Sequence, residues 1–183
     1  MKLNRVALEL DATDRAILDL LQENCKQPLA AIGEKVGLSA PAVLERIHKL
    51  EEAGVIQAYT ALLDARRLGL DVTAFIGVST DRPVAVRGIE VAVMGMDEVL
   101  ECHHVTGAHT LMLKIKTQDT ESLEDLIDRV RSLEGVSRTE TMIVLSTHME
   151  RARIAMPPEE VAVERPRRSG GRARKGGAGG DEA

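Results

Sequence analysis

Apolar positions in the first fifty residues recur at helical spacing. Residues 11–23 place Ile17, Leu18 and Leu21 on one face, behind Asp11 as an N-cap. Residues 28–36 open on Pro28, which suits a first helical turn, and align Leu29, Ile32 and Val36 before Gly37 stops the run. Ser39 caps a third helix with Pro41 in its first turn. That helix carries Val43, Ile47 and Leu50 at i, i+4 and i+7, reaches about Ala53 and ends at Gly54.

Beyond Gly54 the period changes to two. VIQAYTALL (55–63) reads as a short strand or β-wing with a connector, and 72–79 (VTAFIGVS) alternates as a strand. A helical stretch over 83–96 follows, then a strand at 99–105, a turn at Gly107 and a strand at 110–117. Residues 120–133 form an amphipathic helix with Leu123, Leu126, Ile127, Val130 and Leu133; Gly135 closes it and 138–147 is a last strand. The second half therefore has the β-α-β-β-α-β order of a ferredoxin-like sandwich. A unit of this size with one bare sheet face is poorly stable alone, and pairing through that face is the natural way to bury it.

From Pro157 onward the chain is rich in Gly, Pro and charge and poor in large apolar residues, a composition that should be disordered. Residues 165–175 hold six basic side chains in eleven positions. The expected organisation is α+β: an N-terminal (winged) helix-turn-helix domain over 1–60 and a linker over 61–71. A C-terminal ferredoxin-like βαββαβ domain over 72–150 and a disordered basic tail over 151–183 complete it.

Composition narrows the function. Phe75 and Tyr59 are the chain's aromatic residues, with no Trp, which disfavours base stacking on single strands and aromatic cages. No stretch approaches the length of a membrane span, the N-terminus meets acidic residues before an apolar secretory core can form, and Cys25 and Cys102 make no CxxC pair. A soluble cytoplasmic protein is expected, with no membrane partner. The net charge of −5 decides nothing about DNA, because local charge governs that.

Residues 29–48 fit the helix-turn-helix register. Gly33 is small where two helices approach, Gly37 takes a turn position that favours positive φ, and Ile32, Val36, Leu38 and Val43 pack between the helices. Ser39, Ala42, Arg46 and Lys49 fall within roughly 80° of one another on the third helix, roughly a quarter turn from its apolar stripe. One face packs while its neighbour can enter a major groove. In that position Arg46 can bond guanine or phosphate, Ser39 a phosphate or base edge, Ala42 can touch a thymine methyl, and Lys49 suits a phosphate. Ser39, Ala40, Ala42, Val43, Arg46 and Lys49 are the candidate contacts to double-stranded DNA. The same pattern also suits a plain three-helix bundle with a solvated face, and residues 1–60 carry seven Lys/Arg against nine Asp/Glu. The DNA signal is geometric more than electrostatic.

The run LDATDRAILDLLQENCKQPLAAIGEKVGLSAPAVLERIHKLEEAGVI resembles the N-terminal domain of the Lrp/AsnC (leucine-responsive, feast/famine) transcriptional regulators. It does so through Val36-Gly37-Leu38-Ser39, Glu45-Arg46-Ile47, Leu50-Glu51 and Gly54-Val55-Ile56. Glu101-Cys102-His103, Val105-Thr106-Gly107, Leu113-Lys114 and Thr139-Glu140-Thr141 resemble the family's second domain. The resemblance, over about residues 10–150, implies a winged or plain helix-turn-helix domain joined to a ferredoxin-like domain. The same resemblance implies that the second domain dimerises and assembles further, to tetramers or octamers. It also implies a small effector, usually an amino acid, bound between dimers at Thr106, Gly107, Ala108, His109, Thr110 and Thr141. Many members carry an acidic residue just after the Gly or two positions beyond that; this chain has Ala108 and Thr110 there. Backbone N–H groups around Gly107 remain able to hold a carboxylate.

Cys102, His103, His104 and His109 suggest a metal, but alternation puts Cys102 and His104 on one face and His103 on the other, so a packed cysteine with hydrogen-bonded histidines is expected, with no metal and no cofactor. The chain shows no paired carboxylates, nucleophile elbow or phosphate loop, so no enzyme is expected. An effector-sensing module that regulates without reading DNA remains the other class. The complete first domain, with Ser39 and Arg46 in place, argues against it.

Overall fold

The computed structural model describes residues 9–156. Asp11 starts α1 (Ala12–Glu23) with a reciprocal capping box: its side chain accepts from the Asp14 amide while the Asp14 side chain accepts from the Asp11 amide. α2 (Leu29–Val36) ends on Gly37 at φ +71°, and α3 (Ala40–Glu52) starts on Ser39. Ile17, Ile32, Val43 and Ile47 form the buried centre of this unit, with Leu20, Leu21, Leu29, Val36, Leu38 and Ile56 around it. At about 1.5–3 kcal/mol per fully buried aliphatic side chain, this cluster is what makes the three short helices persist.

The expected wing is not formed. After Gly54 (φ +69°) the Val55 and Ile56 amides donate to the Leu50 carbonyl, and residues 55–63 contain no strand. A wing needs a second strand to pair with, and this run has none. Instead the Tyr59 hydroxyl donates to Glu51 Oε1 at 2.9 Å. That bond and burial push the phenol up to about 12, burial being the larger cause.

The second unit spans Thr60–Glu150, so the expected linker belongs to it, with a 3₁₀ turn at Arg66–Leu68. Its elements are β1 (Val72–Ser79), a 3₁₀ turn at Pro83–Ala85, α4 (Val86–Met94) and β2 (Val99–His104). β3 (Leu111–Thr117), α5 (Thr120–Arg131) and β4 (Arg138–Ile143) follow. The antiparallel sheet runs β2-β3-β1-β4, the ferredoxin-like order. Ala74, Ile76 and Val78 of β1 and Leu111, Leu113 and Ile115 of β3 meet Ile89 and Val93 of α4 and Leu123, Leu126 and Val130 of α5. The other sheet face presents Phe75, Met112, Lys114 and Met142, none of them buried.

The tail boundary shifts as well. Arg151–Met156, expected within a disordered tail, are described and belong with the first unit. Gln22 exchanges two hydrogen bonds with the Ile154 backbone (2.7 and 3.1 Å), and Arg153 meets Asp19 at 3.1 Å and Glu23 at 3.6 Å. The basic run 165–175 lies outside the described residues.

Candidate functional site

The tight α2–α3 turn follows from two glycines. A Cβ on Gly33 would stand 2.3 Å from the Leu38 carbonyl oxygen, so only glycine lets the turn cross this close to α2. The Leu38 amide donates to the Gly33 carbonyl at 2.9 Å, and Gly37 supplies the left-handed residue that reverses the chain. Ser39 then accepts from the Ala42 amide at 3.4 Å, so its hydroxyl starts α3 as a cap.

The inner stripe of α3 is Val43, Ile47 and Leu50, and Val43 is fully buried. Val43 is therefore removed from the candidate DNA contacts: its methyls fill the helix-helix core and reach no groove. Ser39 and Lys49 are exposed, and Ala40 and Ala42 are half-buried at the start of the helix. A cleft of about 370 Å³ runs beside this face, lined by Leu38, Ala42, Glu45, Arg46, Lys49 and Asp14 among others.

The cations on this face are engaged. Lys49 Nζ bonds Glu45 Oε1 at 2.8 Å, one turn back, and holds the Glu45 carboxyl below its ordinary value. Arg46 Nη1 lies 2.7 Å from both Asp11 Oδ2 and Asp14 Oδ1. The Asp11 carboxyl is held low by the Asp14 amide first and by Arg46 second. The two aspartates raise the Arg46 guanidinium above its ordinary value in turn.

In the second unit, residues 105–110 join β2 to β3, with Gly107 at φ +111°. The Val105 amide donates to Thr110 O (3.1 Å), and the Thr110 amide donates to Val78 O (2.8 Å), fastening the turn to the end of β1. Thr106, Gly107 and Ala108 are exposed, while the His109 side chain is only 13% exposed. Its Nδ1 is 3.4 Å from Ser79 Oγ, which also donates to Ala108 O at 3.2 Å, and its Nε2 is 3.7 Å from Glu140 Oε2. The imidazole covers Gly77. Gly77 and Glu140 are register partners on the open face of the sheet.

The structure does not bring Thr141 to this group. Thr141 pairs with Ile76, a buried core residue, so its side chain belongs to the helix-covered face, opposite His109. Register also separates the cysteine-histidine run. Cys102 and His104 pair with Leu113 and Leu111 of the core, whereas His103 pairs with Met112 and meets Glu101 at 3.0 Å. Cys102 packs against the core, and burial pushes its thiol up, with Glu90 adding to the shift.

Comparison with known proteins decides the family. An AsnC-type helix-turn-helix domain matches residues 10–51, and an Lrp/AsnC ligand binding domain matches residues 73–154. The chain belongs to the Lrp/AsnC family of transcriptional regulators. An HTH-type transcriptional regulator of Pyrococcus abyssi is 38% identical over 145 residues, 78% of this chain and 94% of the relative. The leucine-responsive regulatory protein of Salmonella typhimurium is 33% identical over 144 residues, 77% and 88% of the two chains. Among solved structures, a transcriptional regulator of Neisseria meningitidis in complex with L-methionine superposes with a TM-score of 0.76. It is 30% identical and covers 83% of this chain and 99% of that one.

Two sets of residues in this Lrp/AsnC protein escape a reading of the sequence. Asp11 and Asp14 are visible there as a helix start but not as partners of a residue 32 and 35 positions away. Ser79, Gly77 and Glu140 reach His109 through strand pairing, which alternation alone does not specify. No helix among the described residues is long and apolar enough to cross a membrane.

Proposed function

We propose that this Lrp/AsnC regulator binds double-stranded DNA by inserting α3 into the major groove. Ser39, Ala40, Ala42 and Lys49 lie on the inserted face, and Arg46 at its edge. The observation that carries this is the cleft beside Ala42, Arg46 and Lys49, on the side of α3 next to its packed stripe. The protein acts in the cytoplasm as a dimer or larger assembly paired through the open sheet face, which keeps Phe75, Met112 and Met142 from full burial in the single chain. Two-fold symmetry then sets pseudo-palindromic half-sites about 34–36 Å apart, or a multiple of that spacing.

The effector is an amino acid held at the turn formed by Thr106, Gly107, Ala108, His109 and Thr110. The Neisseria relative, solved with L-methionine, supports that ligand class. Backbone N–H groups around the positive-φ Gly107 suit a carboxylate, and Glu140, beside His109, places an acidic group near the turn for an amino group. Effector binding regulates by favouring one assembly over another.

The test is retention of sheared genomic DNA by the purified protein across a salt series, with the bound pool sequenced. Pseudo-palindromic fragments should be enriched, and Ala42→Asp should abolish that enrichment while leaving the fold intact. Unselective binding that disappears at moderate salt would overturn the reading.

A further inference from the structure

The sequence suggests Arg46 as a base-reading side chain, yet its geometry serves another purpose. Asp11 uses Oδ1 to accept from the Asp14 amide at 2.7 Å and Oδ2 to accept from Arg46 Nη1. Asp14 uses Oδ2 to accept from the Asp11 amide at 3.3 Å and Oδ1 to accept from the same Nη1. All four carboxylate oxygens are thus engaged, two on the start of α1 and two on α3. The guanidinium also neutralises two carboxylates that would otherwise repel across the capping box.

Both hydrogens of Nη1 are consumed in this arrangement. A bidentate contact to guanine through the two terminal nitrogens would need one of them back, which leaves the Nη2–Nε edge as the one fork that keeps both aspartate bonds. Asp14 is 16% exposed and Arg46 31%, so releasing the side chain would strand a mostly covered carboxylate.

We propose that Arg46 is a positioning residue: through Asp11 and Asp14 it locks the orientation of α3 on α1, and neighbouring side chains read the sequence. The proposal rests on α3 being the DNA-binding helix. It also explains how the reading face works with its arginine held at two points, since the orientation of Ala42 and Lys49 is what this lock holds.

The experiment compares Arg46→Ala, Arg46→Lys, the pair Asp11→Asn with Asp14→Asn, and the combination of that pair with Arg46→Ala. Each full-length variant selects from a random duplex library at a temperature well below its own Tm, and affinities are measured on the selected and on scrambled duplexes. Arg46→Ala and the aspartate pair should each weaken binding about fivefold to tenfold on every duplex, enriching the parent's motif. The combination should be no weaker than Arg46→Ala alone. Arg46→Lys should recover part of the loss with the motif unaltered, because an ammonium still bridges carboxylates.

Loss of one base preference in Arg46→Ala, or tighter binding once the aspartates are neutralised, would show a reader being released and overturn the proposal. A lowered Tm with unchanged affinity would also overturn it, since it would mean the contact only adds stability. If the parent enriches no motif at all, the DNA reading fails. The thermal cycle among the same variants still reports whether Arg46 is coupled to the aspartates.

Discussion

The imidazole of His109 occupies the space above Gly77 that any other residue would fill with its own side chain. A Cβ at Gly77 would stand 2.5 Å from His109 Cδ2 and 2.7 Å from Nε2. Gly77→Ala should therefore expel the ring from its place between Ser79 and Glu140, at a cost of about 1–3 kcal/mol and nearer the lower end because the side chain can swing outward. Thermal unfolding and the His109 ring resonances check this together. An unchanged Tm with unchanged resonances would show that the ring is not seated on the strand.

The two glycines of the helix-turn-helix fail differently. At Gly33 an added methyl meets backbone, the Leu38 carbonyl oxygen at 2.3 Å, and neither helix can give without moving the other. At Gly37 an added methyl meets nothing within 4 Å, and the φ of +71° alone opposes it, a penalty of about 1–2 kcal/mol. Gly33→Ala should accordingly destabilise more than Gly37→Ala, by upwards of about 2 kcal/mol. Denaturant titration of the two variants gives the order, and the reverse order would contradict the close approach of turn and helix.

Acid should loosen the contact between α1 and α3. The Asp11 carboxyl lies below its ordinary value because the Asp14 amide and then Arg46 favour its charged form. A depressed carboxyl contributes stability that is complete above its unfolded value, about 3.9, and is lost as pH falls through the folded value. Stability of the first unit should thus be insensitive to this group near neutrality and decline below about pH 4. In Arg46→Ala that acid-side decline should shrink without vanishing, because the Asp14 amide remains. A decline of the same depth with and without Arg46 would remove the guanidinium from the account.

Much of this arrangement is written in local pattern. The three N-terminal helices begin and end within a residue or two of where Asp11, Ser39, Gly37 and Gly54 place them, since caps and left-handed glycines act over one turn. The β-α-β-β-α-β order is legible for the same reason. The wing is not, because VIQAYTALL has strand composition but no partner, and pairing is not a local property. Arg46 and Thr141 show the same gap. Helical spacing puts Arg46 beside the groove face, but its aspartates come from another helix. Alternation puts Thr141 and Glu140 on opposite faces, but only the pairing with Ile76 and Gly77 tells which face His109 shares.

The two cysteines should separate by reactivity. Cys25 is exposed, whereas Cys102 packs against the sheet core with its thiol pushed up by burial and by Glu90. Because the thiolate is the attacking species, a thiol reagent near pH 7 should modify Cys25 at least about tenfold faster than Cys102. Peptide mapping over a time course resolves the two sites. Equal rates would mean that Cys102 is not held in the core.

Arg46 and Lys49 are both engaged by carboxylates, and the first sixty residues are acidic on balance. Phosphate attraction must then draw on other cations, and the six basic residues of 165–175 are the densest group in the chain. Arg153 and Ile154, at least eleven positions ahead of that run in the sequence, are bonded to α1, within the unit that holds α3. Deleting 157–183 should weaken DNA binding and flatten its dependence on salt, by about 0.9 in the log–log slope for each phosphate that the tail neutralises, while leaving the selected motif unchanged. Binding of one operator duplex across a salt series, with and without the tail, measures both quantities. An identical slope would show that the tail neutralises no phosphate, and the attraction would have to be sought among cations of the folded units.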